Sequence, residues 1–153
     1  MTYSPPEQLI TLLSEDAKRV TDSKQEINMQ DSNNEYFKFS RPEVQALVDP
    51  NSQTILDIGC ASGIFGSQIK EKLGAEVWGI EPVKDIGLKA KKVIDKVIIG
   101  RVEDHFYQLP DEYFDSIIFS DILEHLVDPY KVLDLVKDKL SKNGEIIASI
   151  PNV

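Results

Sequence analysis

The chain has 153 residues, 41% of them hydrophobic and 28% charged, with 26 acidic against 17 basic side chains and a net charge of −9. That length suits one domain with a core of its own, and the composition excludes global disorder. The acidic balance disfavours sequence-independent nucleic-acid binding and anionic membrane surfaces, both of which call for an excess of cations. One cysteine, Cys60, excludes an internal disulfide and a Cys-based zinc site, and fits a reducing, cytoplasmic setting. The segment Met1–Glu7 is neither basic nor apolar, so no signal peptide is expected, and no apolar run approaches the length of a membrane span.

The first 50 residues are polar and carry few strand signals. Ser4-Pro5-Pro6-Glu7 reads as a helix start, with Ser as N-cap and Glu three residues on, and predicts a helix to about Val20. Residues 21–34 lack a period and read as a loop. Arg41-Pro42-Glu43 predicts a second helix that stops near Val48, before Asp49-Pro50. From Thr54 onward, short β-branched runs alternate with longer amphipathic ones. Expected strands are Thr54–Ile58, Glu76–Ile80, Lys96–Ile99, Phe114–Ser120 and Gly144–Ile150. Expected helices are Gly63–Leu73, Val83–Ile94 and Pro129–Leu140, the last capped by Asp128 and carrying Val132, Leu133, Val136 and Leu140 on one face. Five lysines between Lys84 and Lys96 read as a solvated face. The alternation implies an α/β class with a largely parallel sheet covered on both faces. The runs Ile117-Ile118-Phe119 and Ile146-Ile147-Ala148 suit strands buried on both sides. A last strand ending at Ile150 is expected to leave an open sheet edge, completed by another chain or by more of a longer protein, and a route to self-association.

The strongest signal is Ile55-Leu56-Asp57-Ile58-Gly59-Cys60-Ala61-Ser62-Gly63, a buried strand leading through small residues into a helix. Such a turn lets the backbone approach a ligand, and the helix start offers free N–H groups to an anion. A dinucleotide fingerprint needs glycine at offsets 0, 2 and 5, and here the third position is Ile64. The small residues fall instead at offsets 0, 2 and 4: Gly59, Ala61 and Gly63. A second signal is Val77-Trp78-Gly79-Ile80-Glu81-Pro82, an apolar strand ending in a carboxylate 24 residues after Asp57. A carboxylate at that place can accept both hydroxyls of a ribose. Trp78 reads as core, and Cys60 as a small packing residue. The third signal runs from Phe114-Asp115 through Ser120-Asp121-Ile122-Leu123-Glu124-His125 to Asp128-Pro129.

Together these motifs resemble class I S-adenosylmethionine-dependent methyltransferases over about residues 35–153, with the third signal similar to quinone-biosynthesis types and the end, Ser149–Val153, similar to polysaccharide-cluster types. The family usually has glycine at the position of Ala61; alanine serves there as long as φ is negative. The resemblance implies a Rossmann-like three-layer α/β/α fold with strand order 3-2-1-4-5 and N-terminal helices. Residues 1–50 would form a helical segment able to act as a lid, and 51–153 an S-adenosylmethionine-binding domain that lacks the family's last two strands. Carried over residue by residue, Gly59, Cys60, Ala61 and Gly63 would pass under the methionine part, and Asp57 would orient that loop and meet the amino group. Glu81 would hold the ribose, and Pro82 would flank the adenine. Arg101 stands where the family usually has an adenine-binding Asp, so Glu103 or the Val102 N–H takes that role. Ser120 would offer its carbonyl to the ammonium, and Arg41 would meet the carboxylate.

The implied reaction is methyl transfer to a small-molecule or sugar acceptor, with O-methylation the expected chemistry and His125 as the base, because imidazole is the side-chain type that titrates near neutrality. No metal is expected, although Asp121, Glu124 and His125 at i, i+3 and i+4 would share a face if helical. His105 reads as a surface residue. The alternative reading is a non-catalytic binding or interaction module of a larger protein.

Overall fold

The computed structural model describes residues Ile10–Leu12 and 40–150. Six parallel strands form one sheet: β1 (Ile10–Leu12), β2 (Thr54–Ile58), β3 (Glu76–Glu81), β4 (Lys96–Ile99), β5 (Phe114–Ser120) and β6 (Leu140–Ser149), in the order β1-β6-β5-β2-β3-β4. Numbered among themselves, the five expected strands lie in the order 3-2-1-4-5, as the sequence implied. The helices are α1 (Pro42–Gln45), α2 (Ile64–Leu73), α3 (Lys84–Ala90), α4 (Val102–His105) and α5 (Pro129–Lys137). Two 3-10 turns, Phe106–Gln108 and Leu123–His125, complete the order.

Strand side chains alternate between two apolar clusters, as a period of two requires. Leu56, Ile58, Ile117, Phe119, Ile146 and Ala148 face one side and pack with Val132 and Val136 of α5. Ile55, Val77, Ile118 and Ile147 face the other and pack with Phe65 and Ile69 of α2 and with Val44 and Val48, at and just beyond α1. The Asp128 side chain accepts from the Lys131 N–H at 2.9 Å, and Pro129 occupies the first turn, so α5 starts where the sequence placed it.

Several boundaries depart from expectation, among them α1, which ends at Gln45 rather than near Val48. Ile10–Leu12, expected inside a helix, form a strand that pairs with Ile146–Ala148. The β6 edge is therefore covered there by the chain's own segment. The rest of the expected Pro5–Val20 helix lies outside the described residues. Helix α5 ends at Lys137 rather than Leu140, and Leu140 instead opens β6 opposite Phe114. Leu140 continues the helical spacing of Val132 and Val136, so its apolar character satisfied either reading. The register of β5 with β6 then shifts: Phe114 faces Leu140 while Ser116 faces Glu145. Helix α3 stops at Ala90, and turns carry the chain on to β4. The five lysines of that region are all exposed.

Candidate functional site

The C-terminal ends of β2, β3 and β5 open onto two cavities that share Gly59. The first, about 280 Å³, is lined by Arg41, Asp57, Gly59, Cys60, Ala61, Ser62, Ile64, Phe65, Ser120 and Asp121. The second, about 310 Å³, is lined by Ile58, Gly59, Ile80, Pro82, Gly100, Arg101, Val102, Glu103, Ile122, His125 and Leu126. Ligands in open parallel sheets bind at this end, where the strand order reverses direction.

The loop between β2 and α2 is pinned to β3. The Gly59 and Cys60 N–H groups donate to the Ile80 carbonyl at 2.8 and 3.0 Å. Gly59 has φ +78°, and a Cβ there would meet the tip of the Ile122 side chain, so glycine suits both the left-handed turn and the close passage under Ile122. Ala61 has φ +49°. The condition set for alanine at this position is therefore not met, and the residue holds a left-handed conformation that disfavours a side chain by about 1–2 kcal/mol. The loop keeps that shape because Glu81 reaches across: its Oε2 accepts from the Ala61 N–H at 3.0 Å and its Oε1 from the Val83 N–H at 3.0 Å. Glu81 is only 7% exposed. A carboxylate has about four acceptor positions, so two remain for a vicinal diol.

Asp57 is 2% exposed, and no donor among the described residues meets its carboxyl. Burial, and after it the negative charge of Glu81, pushes its pKa up to about 7. Ser120 Oγ is the one side-chain polar atom among the described residues that is fully buried without a partner, while Asp57 lines the cavity with no hydrogen-bonded donor. Two residues whose polar groups lack a hydrogen-bond partner thus stand in the wall of one cavity, which is the pattern of a site completed by a polar ligand. Arg41 forms part of the same wall. Its Nε donates to Glu43 at 2.5 Å, its Nη2 to Ser149 Oγ at 3.1 Å, and its Nη1 to Asp121. Arg41 and Asp121 both have positive φ, 44° and 53°, so two strained residues hold each other across the cavity mouth. Cys60 is buried, its thiol pKa is pushed up by that burial, and it packs on Gly79, where a Cβ would come within 2.5 Å of Sγ. It is a packing residue of the loop.

In the second cavity Pro82, Val102, Ile122 and Leu126 supply an apolar slot, and Glu103 stands at its edge, 3.3 Å from the Arg101 guanidinium. His125 lines the same slot with 76% of its side chain exposed and Nε2 3.6 Å from Glu124. Asp121, Glu124 and His125 do not share a helix face. Asp121 precedes the 3-10 turn in a left-handed conformation and turns to Arg41, and no group of three metal-ligating side chains forms among the described residues. His105 is not a bare surface residue: its ring covers Gly100, and Nδ1 lies 3.0 Å from the Arg101 carbonyl.

The structure thus gathers Asp57, Gly59, Cys60, Ala61 and Ser120 around one cavity, and Gly59, Pro82, Val102, Glu103 and His125 around the other. Gly63 caps α2 with φ +83° but lines neither cavity, and Glu81 acts through the loop backbone. Sequence reasoning did not single out Ile122 or Leu126 as walls, nor the pairing of Arg41 with Asp121. The apolar Ile-Leu of the third motif was the signal for the first. The second joins residues 80 apart in sequence and left no local trace.

Residues 31–153 match the model of a methyltransferase domain family. The ubiquinone biosynthesis O-methyltransferase of Aeromonas salmonicida is 31% identical over 104 residues, covering 64% of this chain and 43% of that protein. The mitochondrial human counterpart is 30% identical over 106 residues, covering 64% and 28%. The chain therefore spans less than half the length of these curated relatives. Among solved structures, a SAM-dependent methyltransferase from Archaeoglobus fulgidus aligns with a TM-score of 0.62 and 26% identity, covering 72% of this chain and 50% of that one. One from Mesorhizobium loti aligns with a TM-score of 0.63 and 22% identity, covering 72% and 52%, a likeness of fold. Among the described residues, no helix is long and apolar enough to cross a membrane. With a family model covering most of its length and the loop, strand-end carboxylate and strand order described above, the chain belongs to the methyltransferase domain family, within the class I S-adenosylmethionine-dependent methyltransferases.

Proposed function

We propose that the two cavities together hold S-adenosylmethionine and that the protein methylates a hydroxyl of a small-molecule or sugar acceptor. The observation that carries this reading is the buried, unpartnered Asp57 carboxyl beside the orphaned Ser120 hydroxyl and the Arg41 guanidinium. An α-amino acid end fits that set: Asp57 and Ser120 accept from the ammonium, and the Arg41 N–H groups not already engaged donate to the carboxylate. The two spare acceptor positions on Glu81 suit a ribose diol. The slot of Pro82, Val102, Ile122 and Leu126 suits a flat purine, with Glu103 able to accept from its amino group. The curated relatives, named as O-methyltransferases of ubiquinone biosynthesis, support a hydroxyl acceptor.

When bound, the cofactor supplies an electrophilic methyl: an acceptor oxygen forms the new O–C bond while the C–S bond breaks, its electron pair staying on sulfur. The protein's work is positioning, which supplies about 7–11 kcal/mol in well-aligned reactions. Gly59 keeps the floor between the cavities free of a side chain, and Ile122 shields it from water. His125, open to solvent at the slot, takes the hydroxyl proton on a ring nitrogen.

A thermal titration tests the cofactor. At about 100-fold over Kd it should stabilise the protein by ~2.7 kcal/mol. That corresponds to several degrees in Tm at this size. Labelled methyl from S-adenosylmethionine should then appear on catechol or sugar hydroxyls, and His125→Ala should slow that transfer at saturating cofactor by about 10²-fold or more. No thermal shift, or transfer that is indifferent to His125, would contradict the reading.

A further inference from the structure

One wall of the second cavity is the turn from β4 into α4, where Gly100, Arg101, Val102 and Glu103 stand side by side. Gly100 has φ +149°, a conformation that suits glycine. A Cβ there would also strike the Cε1, Nδ1 and Nε2 atoms of His105, so the imidazole lies against the face of Gly100. His105 itself is not among the residues that line the cavity. It backs the wall instead. Its Nδ1 lies 3.0 Å from the Arg101 carbonyl, and a carbonyl oxygen only accepts, so Nδ1 carries the proton. The same carbonyl also takes the Asp104 N–H, at a longer 3.2 Å. The turn is tied on its other side as well, because the Gly100 N–H donates to the Glu81 carbonyl at 3.0 Å. One imidazole thus supports a turn that frames the apolar slot and is bonded to the residue at the end of β3.

We propose that His105 is a positioning residue for the adenosine end of the cofactor, acting through the Arg101 carbonyl and Gly100. The inference rests on the reading that S-adenosylmethionine occupies the two cavities. Helix α4 is a single turn of four residues, and no side chain caps its start. So short a helix is not stable by itself, and its first turn needs a support from outside the backbone ladder. The His105 ring is that support: it holds the carbonyl of Arg101, from which Val102 and Glu103 are carried into the wall of the slot. A ligand that needs the turn ordered loses about one net hydrogen bond when the ring is removed, which is about fivefold in affinity. The two histidines of this rim then have separate tasks. His125 meets the acceptor, and His105 touches no ligand but fixes where the base and ribose lie.

Calorimetric titration of the full chain with S-adenosylmethionine and S-adenosylhomocysteine tests this. The two ligands share their adenosine, so His105→Ala should weaken both by the same factor, about fivefold. His105→Asn keeps an N–H donor near the place of Nδ1 and should stay within about twofold of the wild type. His105→Phe keeps a ring over Gly100 without a donor and should weaken binding as alanine does. A residue that only stabilised the fold would lower Tm in these variants and leave the affinity of the folded protein unchanged. Nitrogen NMR of the wild type should find the proton of the neutral His105 ring on Nδ1. Should one variant fail to fold, the other two and the ring tautomer decide. Binding by His105→Ala within about twofold of the wild type, retention by the Phe variant but not the Asn variant, or a ring proton on Nε2 with Nδ1 bare overturns the proposal while leaving the cofactor reading intact. Failure of both ligands to bind the wild type overturns both.

Discussion

Asp57 and Asp115 lie on neighbouring parallel strands, β2 and β5, near opposite ends of the sheet, and the fold treats them in opposite ways. Asp115, at the N-terminal end, accepts from the Gln53 N–H at 2.8 Å, the Thr54 N–H at 3.2 Å and the Ser141 hydroxyl at 2.7 Å. Its burial alone would raise its pKa, but these donors hold it below the usual carboxylate range. Asp57, at the C-terminal end, is more deeply buried and is given nothing. Backbone strain is denser at the C-terminal end, although Glu112 and Gly74 at the N-terminal end also have positive φ. Arg41, Gly59, Ala61, Gly63 and Asp121 all have positive φ within the C-terminal rim. The difference separates an end that holds the sheet together from an end that waits for a ligand.

Removing Asp115 should have the larger effect on stability. Asp115→Ala strands three donors, and should destabilise the protein by about 2–3 kcal/mol in chemical denaturation. The comparison breaks if that variant is as stable as the wild type. Asp57→Asn should do the reverse. An acid whose folded pKa lies above its unfolded one stabilises the fold below the unfolded value and loses that contribution as pH rises through the folded value. The wild type should therefore lose stability between about pH 4 and pH 7 on account of Asp57, and the Asn variant should lack that decline. A smaller effect comes from Ala61→Gly, which relieves the left-handed alanine and should raise stability by about 1 kcal/mol in the same assay. An unchanged or lowered stability would show that Glu81 already compensates for the strain. The smallest belongs to the exposed end of α2. Lys70 pairs with Asp95 at 2.5 Å in partly solvated surroundings, so Lys70→Ala should shift stability by less than about 0.5 kcal/mol.

Most of the sheet was legible because its strands announce themselves in short β-branched runs. Lys96–Ile99 and Phe114–Ser120 carry the boundaries the sequence predicts. The site's parts were legible for the same reason: a glycine loop and a strand-end carboxylate are local patterns, and their chemistry follows from residue type. What stayed hidden depends on contacts between distant segments. Ile10–Leu12 has no strand signature of its own and becomes a strand through the edge of β6. The positive φ of Ala61 follows from Glu81 drawing in its N–H, which no spacing rule encodes. Glu81 itself read as a ribose ligand and proves also to be the brace of the loop.

The account depends on Asp57 being a buried acid left for a ligand to complete. Carboxyl-carbon NMR of Asp57, followed through a pH titration with and without S-adenosylmethionine, tests this directly. The empty protein should show a midpoint at about 7, and the ligand should drive it well below that value. A midpoint in the ordinary carboxylate range in the empty protein, or one that the ligand leaves in place, would contradict the account.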